Sequence, residues 1–322
     1  MSLSTLLPTR AEIDAGAKRV YAAMPATPQY CWPLLCERLG SEVWVKHENH
    51  TPIGAFKVRG GLVYFAALAE SSSKVAGVIS ATRGNHGQSV GLAARRYGIP
   101  ATIVVPHGNS IEKNAAMRAL GVELIEHGED FQAAKEHAEA LAQERSLHMV
   151  PSFDRKLVTG VASYAMELFQ GVAALDTVYV PIGMGSGICG MLAARNALGL
   201  KTKIVGVVSA HARAYAASFQ AHELLEAPVT TRIADGLACR VPHPEALEII
   251  WQGVDHIVEV TDQEISVAIQ HLYECTHNMA EGAGAAPTAA AFQERERNQG
   301  RKIAVVLSGG NIDRNVFAEI IS

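Results

Sequence analysis

Short runs rich in β-branched residues alternate along this chain with longer stretches whose apolar positions recur every three to four residues. The runs predict strands over 43–47, 75–80, 101–105, 122–125, 177–181, 203–208, 256–260 and 302–307. The longer stretches predict helices over 55–69, 86–97, 111–120, 130–145, 158–171, 188–198, 263–275, 285–298 and 311–321. Strand–helix alternation of this length is the signature of an α/β fold, with parallel sheets covered by helices. Some helix limits are chemically marked. Gly98 and Pro100 close the helix carrying Arg95 and Arg96, Ser110 caps the next one, and Gly121 ends it. No internal repeat or low-complexity linker interrupts the pattern. Residues 71–150 hold enough strand–helix units for a small sheet of their own. The chain is therefore expected to divide into a small substrate-side unit, 71–150, and a larger unit formed by 1–70 and 151–322.

Composition narrows the function classes. Of 322 residues, 48% are hydrophobic and 19% charged, which fits a globular chain of one large or two ordinary domains. A formal net charge of −4 gives no basic footprint for nucleic acid. No apolar run reaches membrane-spanning length, and the start MSLSTLLPTRAEIDAG meets a proline and charges without a long apolar core, so neither a membrane nor a secretory route is expected. The five cysteines, Cys31, Cys36, Cys189, Cys239 and Cys275, are odd in number and irregularly spaced. They read as free thiols of a cytoplasmic protein, with no zinc site or disulfide framework. The thirteen histidines form no tight metal-ligand pattern.

Four segments carry candidate chemistry. Residues 177–190, TVYVPIGMGSGICG, run from a strand through a glycine-rich turn into a helix start, where free N–H groups and the positive helix end favour an anion. GSGICG also fits the dinucleotide fingerprint GxGxxG, but no Asp or Glu lies between Asp176 and Glu223 to hold a ribose. A phosphate cradle, a nicotinamide dinucleotide site and a plain tight turn all remain open on the glycines alone. Residues 50–61, HTPIGAFKVRGG, place Lys57 among Ile53, Ala55, Phe56 and Val58, an apolar setting that depresses an amine's pKa and suits covalent catalysis. Residues 80–87, SATRGNHG, form a polar loop after a strand, suited to a small carboxylate. Residues 303–313, IAVVLSGGNID, deliver a serine and two glycines at the C-terminal end of a buried strand, where open α/β sheets bind ligands.

Taken in order, GAFKVRGG, RGNHGQ, GMGSG, EGAGA at 281–285 and LSGGN at 307–311 resemble the fold type II pyridoxal 5′-phosphate (PLP) enzymes, in the serine/threonine dehydratase and serine racemase group. The resemblance runs from about Thr51 to the C-terminus. It implies a tryptophan synthase β-like fold: two open, twisted, mostly parallel sheets, with a small domain inserted in a large one. Lys57 matches the Schiff-base lysine, with Phe56 beside it. Asn85 matches the partner of the PLP ring hydroxyl. Gly183, Met184, Gly185, Ser186 and Gly187 match the phosphate loop, and Ser308 the partner of the pyridine nitrogen. Thr82, Arg83 and His86 match the substrate-carboxylate loop, and Glu281 a carboxylate near the cofactor.

The activity so implied is a dehydratase or ammonia-lyase that eliminates water from a 3-hydroxy amino acid of the serine/threonine or 3-hydroxyaspartate type, leaving a 2-oxo acid and ammonia. Lys57 would act as general base at Cα. A racemase, a β-replacement enzyme and a non-catalytic PLP-binding protein are the alternatives. The resemblance also implies a homodimer with a small amino-acid substrate, and, with no regulatory domain expected after Ser322, a catabolic role. Three departures stand out. Met184 and Ser186 replace glycines of the usual phosphate loop. Arg83 stands where serine racemases carry a serine; it is permanently charged, so it disfavours racemisation and suits a second substrate carboxylate. Residues 207–214, VVSAHARA, lack the carboxylates of metal-dependent relatives, so no divalent metal is expected.

Overall fold

The predicted strands hydrogen-bond into two separate sheets in the computed structural model, which describes residues 3–71 and 75–322. The first two residues of the N-terminal reading, and 72–74 at the edge of the expected small unit, lie outside the described residues. The chain opens with helices α1 (Leu3–Leu6) and α2 (Arg10–Tyr21), then strand β1 (Gln29–Cys31), helix α3 (Pro33–Leu39), strand β2 (Glu42–His47) and helix α4 (Lys57–Glu70). It then forms β3 (Val78–Ala81), α5 (Asn85–Arg96), β4 (Ala101–Val105), α6 (Ile111–Ala119), β5 (Glu123–Glu126), α7 (Phe131–Glu144) and β6 (His148–Met149). These four strands make a parallel sheet of order β5-β4-β3-β6.

The chain continues through α8 (Arg155–Gly171), β7 (Thr177–Pro181), α9 (Ser186–Ala197), β8 (Lys203–Ser209), α10 (Ala214–Ala221), α11 (Pro244–Gly253) and β9 (His256–Val260). It ends with α12 (Asp262–Thr276), α13 (Gly282–Gln293), β10 (Lys302–Leu307) and α14 (Arg314–Ile321). The larger sheet has the order β1-β2-β10-β7-β8-β9 and is parallel apart from the edge strand β1. Its centre is β10, which pairs with β2 from Lys302↔Glu42 to Leu307↔His47, and with β7 on its other side.

Burial explains these elements. β7 is buried at every position and β10 at all but its first, as expected for parallel strands covered on both faces. Several helices start where a side chain satisfies otherwise free N–H groups: Thr9 and Thr261 form capping boxes with Glu12 and Glu264, and Ser110, Asp130 and Asp154 accept from the first turns of α6, α7 and α8. Gly98 and Gly121 both adopt positive φ just past helix ends, as their positions predict. The first small-sheet strand begins at Val78 rather than 75, because its pairing starts where the Val78 N–H meets the Pro100 carbonyl at 2.8 Å. Among the described residues, no helix is long and apolar enough to cross a membrane.

Candidate active site

Three strand ends converge on one cleft. The loop after β3 brings Thr82, Arg83, Asn85 and His86. The loop after β7 brings Gly183, Met184, Gly185, Ser186 and Gly187. The end of β10 brings Ser308. Phe56 and Lys57 enter at the start of α4, and Glu281 just ahead of α13. Every residue singled out from the sequence lines the same cleft, of about 900 Å³ including its open mouth.

Backbone bonds fix Lys57 against the end of β10. The Phe56 N–H donates to the Ser308 carbonyl at 3.0 Å, and Ala55 bridges to Gly309. The Thr51 hydroxyl both accepts from the Ala55 N–H and donates to its carbonyl, each at 2.8 Å, and so locks the turn before α4. The Ser89 hydroxyl donates to the Lys57 carbonyl at 2.7 Å, tying the first turn of α4 to α5. The amine of Lys57 donates to the Ser186 hydroxyl at 3.3 Å and, among the described residues, has no carboxylate partner. Burial, with no opposing charge, pushes its pKa down to about 8.

Gly185 sits at φ +100 directly before α9, a conformation that L side chains rarely adopt, and a Cβ there would approach the Ala246 Cβ at 2.6 Å. No side chain caps α9, so its first N–H groups face the cleft unpaired. The Tyr215 hydroxyl holds the loop by donating to the Met184 carbonyl at 3.1 Å. An uncapped helix start, a hydroxyl at Ser186 and a buried amine beside them fit a phosphorylated aldehyde: donors for the phosphate and a nucleophile for the carbonyl.

Asn85 is held from both ends. Its Nδ2 donates to Glu281 at 2.5 Å, and its Oδ1 accepts from Asn311 at 2.9 Å. One hydrogen of Nδ2 is left for a ligand. Glu281 is almost wholly buried, which raises its pKa, and the ammonium of Lys113 opposes that shift from 3.0 Å. Lys113 also pairs with Asp235 at 2.6 Å; burial works against its charge, but Glu281 and Asp235 together raise its pKa. Lys113 and Asp235 were not foreseen. A lone lysine in the first turn of α6 and an aspartate in a loop carry no pattern, and only the packing of α6 against the cleft brings them together. His86 is buried, its pKa lowered to about 3 chiefly by burial and by Lys57, and it bonds the Val150 backbone. Among the described residues its Nε2 has no hydrogen-bond partner. The Thr82 hydroxyl accepts from the Gly84 N–H at 3.0 Å and shapes the loop ahead of α5, whose start is likewise uncapped.

A doubly wound α/β scaffold whose strand ends enclose a depressed-pKa lysine beside an uncapped helix start defines a class of enzymes that bind PLP covalently. The comparisons agree. The family model described as pyridoxal-phosphate dependent enzyme matches residues 23–309, and the chain belongs to that family. The biosynthetic L-threonine dehydratase of Haemophilus influenzae is 34% identical over 298 residues, covering 92% of this chain and 58% of that enzyme, so the chain spans little more than half of that relative's length. The L-threo-3-hydroxyaspartate ammonia-lyase of Saccharomyces cerevisiae is 30% identical over 319 residues, covering 98% of this chain and 97% of that enzyme. The structure of maize serine racemase superposes with a TM-score of 0.89 at 26% identity, covering 97% of this chain and 96% of the other.

Proposed function

We propose that this chain is a PLP-dependent ammonia-lyase that eliminates water from a 3-hydroxy amino acid and yields a 2-oxo acid and ammonia. The observation that carries this reading is the Lys57 amine, enclosed, free of carboxylates and lowered to about 8, so that its neutral form is accessible near neutral pH. Dehydratases and ammonia-lyases among the relatives support it.

When bound, the cofactor supplies an electron sink for the charge left at Cα as its proton departs. The chain's residues do the rest. The uncapped start of α9 and the Ser186 hydroxyl hold the phosphate. Asn85, clamped by Glu281 and Asn311, presents its spare hydrogen to the ring hydroxyl. Ser308, which carries no charge, would offer the ring nitrogen a neutral hydroxyl instead of a counter-charge. The uncapped start of α5 takes the substrate's α-carboxylate. Lys57, once free, accepts the Cα proton. In the same reading the sheet of β3 to β6 belongs to a small substrate-side unit, 71–150, while 1–70 and 151–322 hold the cofactor. It further includes a cytoplasmic homodimer with no divalent-metal requirement. The exposed apolar side chains of Tyr30, Leu34, Tyr273 and Met279 are available for a second copy.

The test is a visible absorption spectrum of the purified protein with PLP, recorded before and after 3-hydroxy amino acids are added, with 2-oxo acid assayed in parallel. A band that shifts with substrate, oxo acid as product, and loss of both in Lys57→Ala are expected. A wild-type band that gives no oxo acid from any of serine, threonine and 3-hydroxyaspartate would overturn the lyase assignment.

A further inference from the structure

Three anion receptors open on this cleft, one more than a cofactor phosphate and one α-carboxylate require. Two are the uncapped starts of α9 and α5. The third is Arg83. Its side chain is half-buried, lines the Lys57 cavity and the adjoining cleft alike, and makes no hydrogen bond or ion pair among the described residues. Apart from the reactive amine of Lys57, the other long cations of these two clefts are matched: Lys113 by Asp235 and Glu281, Lys135 by Glu139 at 3.6 Å, and Arg240 by Glu226 at 3.5 Å. An unmatched, partly desolvated guanidinium is a receptor for a carboxylate, which it can grip through two parallel hydrogen bonds. The apolar side chains around it, Phe131, Met184 and Ala238 among them, thin out the water that would screen such a pair.

His86 adds a second, independent pointer. It is 7% exposed, and its Nε2 is buried without a partner. Burial keeps the ring neutral, and in either tautomer an unpartnered ring nitrogen complements a hydroxyl, which can both donate and accept. Arg83 lines the same cavity as Lys57, so one bound molecule can meet both the amine and the guanidinium.

We propose that Arg83 forms a subsite for a second carboxylate, carried one carbon beyond Cα, so that the preferred substrates are dicarboxylic 3-hydroxy amino acids of the 3-hydroxyaspartate kind. The proposal rests on the lyase reading only in that the substrate's amino group enters at Lys57.

Binding can be read without turnover. Aspartate, asparagine and alanine carry no 3-hydroxyl to eliminate, and each can be titrated into the PLP-loaded protein by the shift of the visible band. Aspartate is expected to bind at least about tenfold more tightly than its neutral isostere asparagine, the scale of one hydrogen bond to a charged group. That ratio is expected to collapse towards one in Arg83→Met and to be partly retained in Arg83→Lys. The resting band of each variant reports that it folds and holds PLP. Equal affinities for aspartate and asparagine in the wild type, or a preference that survives Arg83→Met, would overturn the subsite. Turnover separates the two readings. If serine gives oxo acid at a kcat/KM equal to that of 3-hydroxyaspartate, the subsite fails and the lyase stands. If aspartate is preferred but no hydroxy amino acid yields oxo acid, the subsite stands and the lyase fails.

Discussion

Lys57 illustrates how a single side chain acquires chemistry from where it is put. An ordinary lysine is almost fully protonated near neutral pH, and a protonated amine is no nucleophile. Burial without a compensating carboxylate lowers this one from 10.5 to about 8. The rate at which the apo-protein takes up PLP, followed by absorbance after rapid mixing, is therefore expected to rise with pH, reach half its maximum near pH 8, and flatten above it. A rate still climbing steeply at pH 10 would mean an exposed amine. The linkage runs the same way: between about pH 8 and 10.5 the unfolded chain binds the proton that folded Lys57 has lost, so this group makes folding more favourable as pH rises through that window. Lys57 was legible because its apolar neighbours stand next to it in the sequence. The glycine turn was legible for a similar reason, since strand, turn and helix start are contiguous. Lys113, Asp235 and the clamp from Asn311 onto Asn85 were not, because those contacts exist only once separate segments have packed.

At the scale of elements, the start of α4 is anchored by a buried charge network. Arg59, two residues beyond Lys57, is fully buried and pairs with Glu48 at 2.7 Å and Glu167 of α8 at 2.7 Å. Lys46 of β2 reaches Glu167 at 2.5 Å, and the Thr27 hydroxyl donates to Glu48 at 2.5 Å. Removing one member leaves the others charged and enclosed. Arg59→Met is accordingly expected to destabilise the fold by about 3–5 kcal/mol, measured by denaturant unfolding of the apo-protein. The residue-by-residue periodicity that found α4 says nothing of this anchor. It also passed over α1, α2, α3, α10, α11 and the short strands β1 and β6. β1 is a three-residue antiparallel edge strand, too short to show an alternation. α11 did carry a signal, a proline in its first turn ahead of a buried apolar run. α13 begins at Gly282, earlier than its pattern suggests, and holds Pro287 inside. Its glycines read as loop because their purpose is tertiary: a Cβ on Gly284 would strike the Gly309 carbonyl at 2.3 Å, so the EGAGA and LSGGN motifs are two sides of one contact.

Across the whole molecule, the two sheets meet through the same buried ions that frame the cleft. Lys113 belongs to the helix between β4 and β5, while Asp235 and Glu281 belong to the part of the chain that builds the larger sheet. Lys113→Met leaves Glu281 buried without its counter-charge, so that carboxyl is expected to take up a proton and loosen its grip on Asn85. Hydrogen exchange should then quicken in α6 and around Asn85, while the core of the larger sheet stays protected. Unchanged exchange in α6 would show that apolar packing alone holds the two sheets together. The α/β architecture and the separate small sheet were readable from alternation of periods, whereas strand order was not, since nothing local tells β2 that its neighbour is β10.

That neighbour also comes later in the chain than either strand it pairs with. β10 wedges between β2 and β7, so the row of strands stays open at its middle until β10 itself has been synthesised. Until then β2 and β7 each expose an unpaired edge, that of β7 mostly apolar, the kind that invites pairing with a foreign strand. Lys57 and Ser308 are brought to one cleft only when that gap closes. Closure of the sheet waits on β10, and crowded or slowed synthesis is expected to be felt as aggregation before it is felt as weak catalysis.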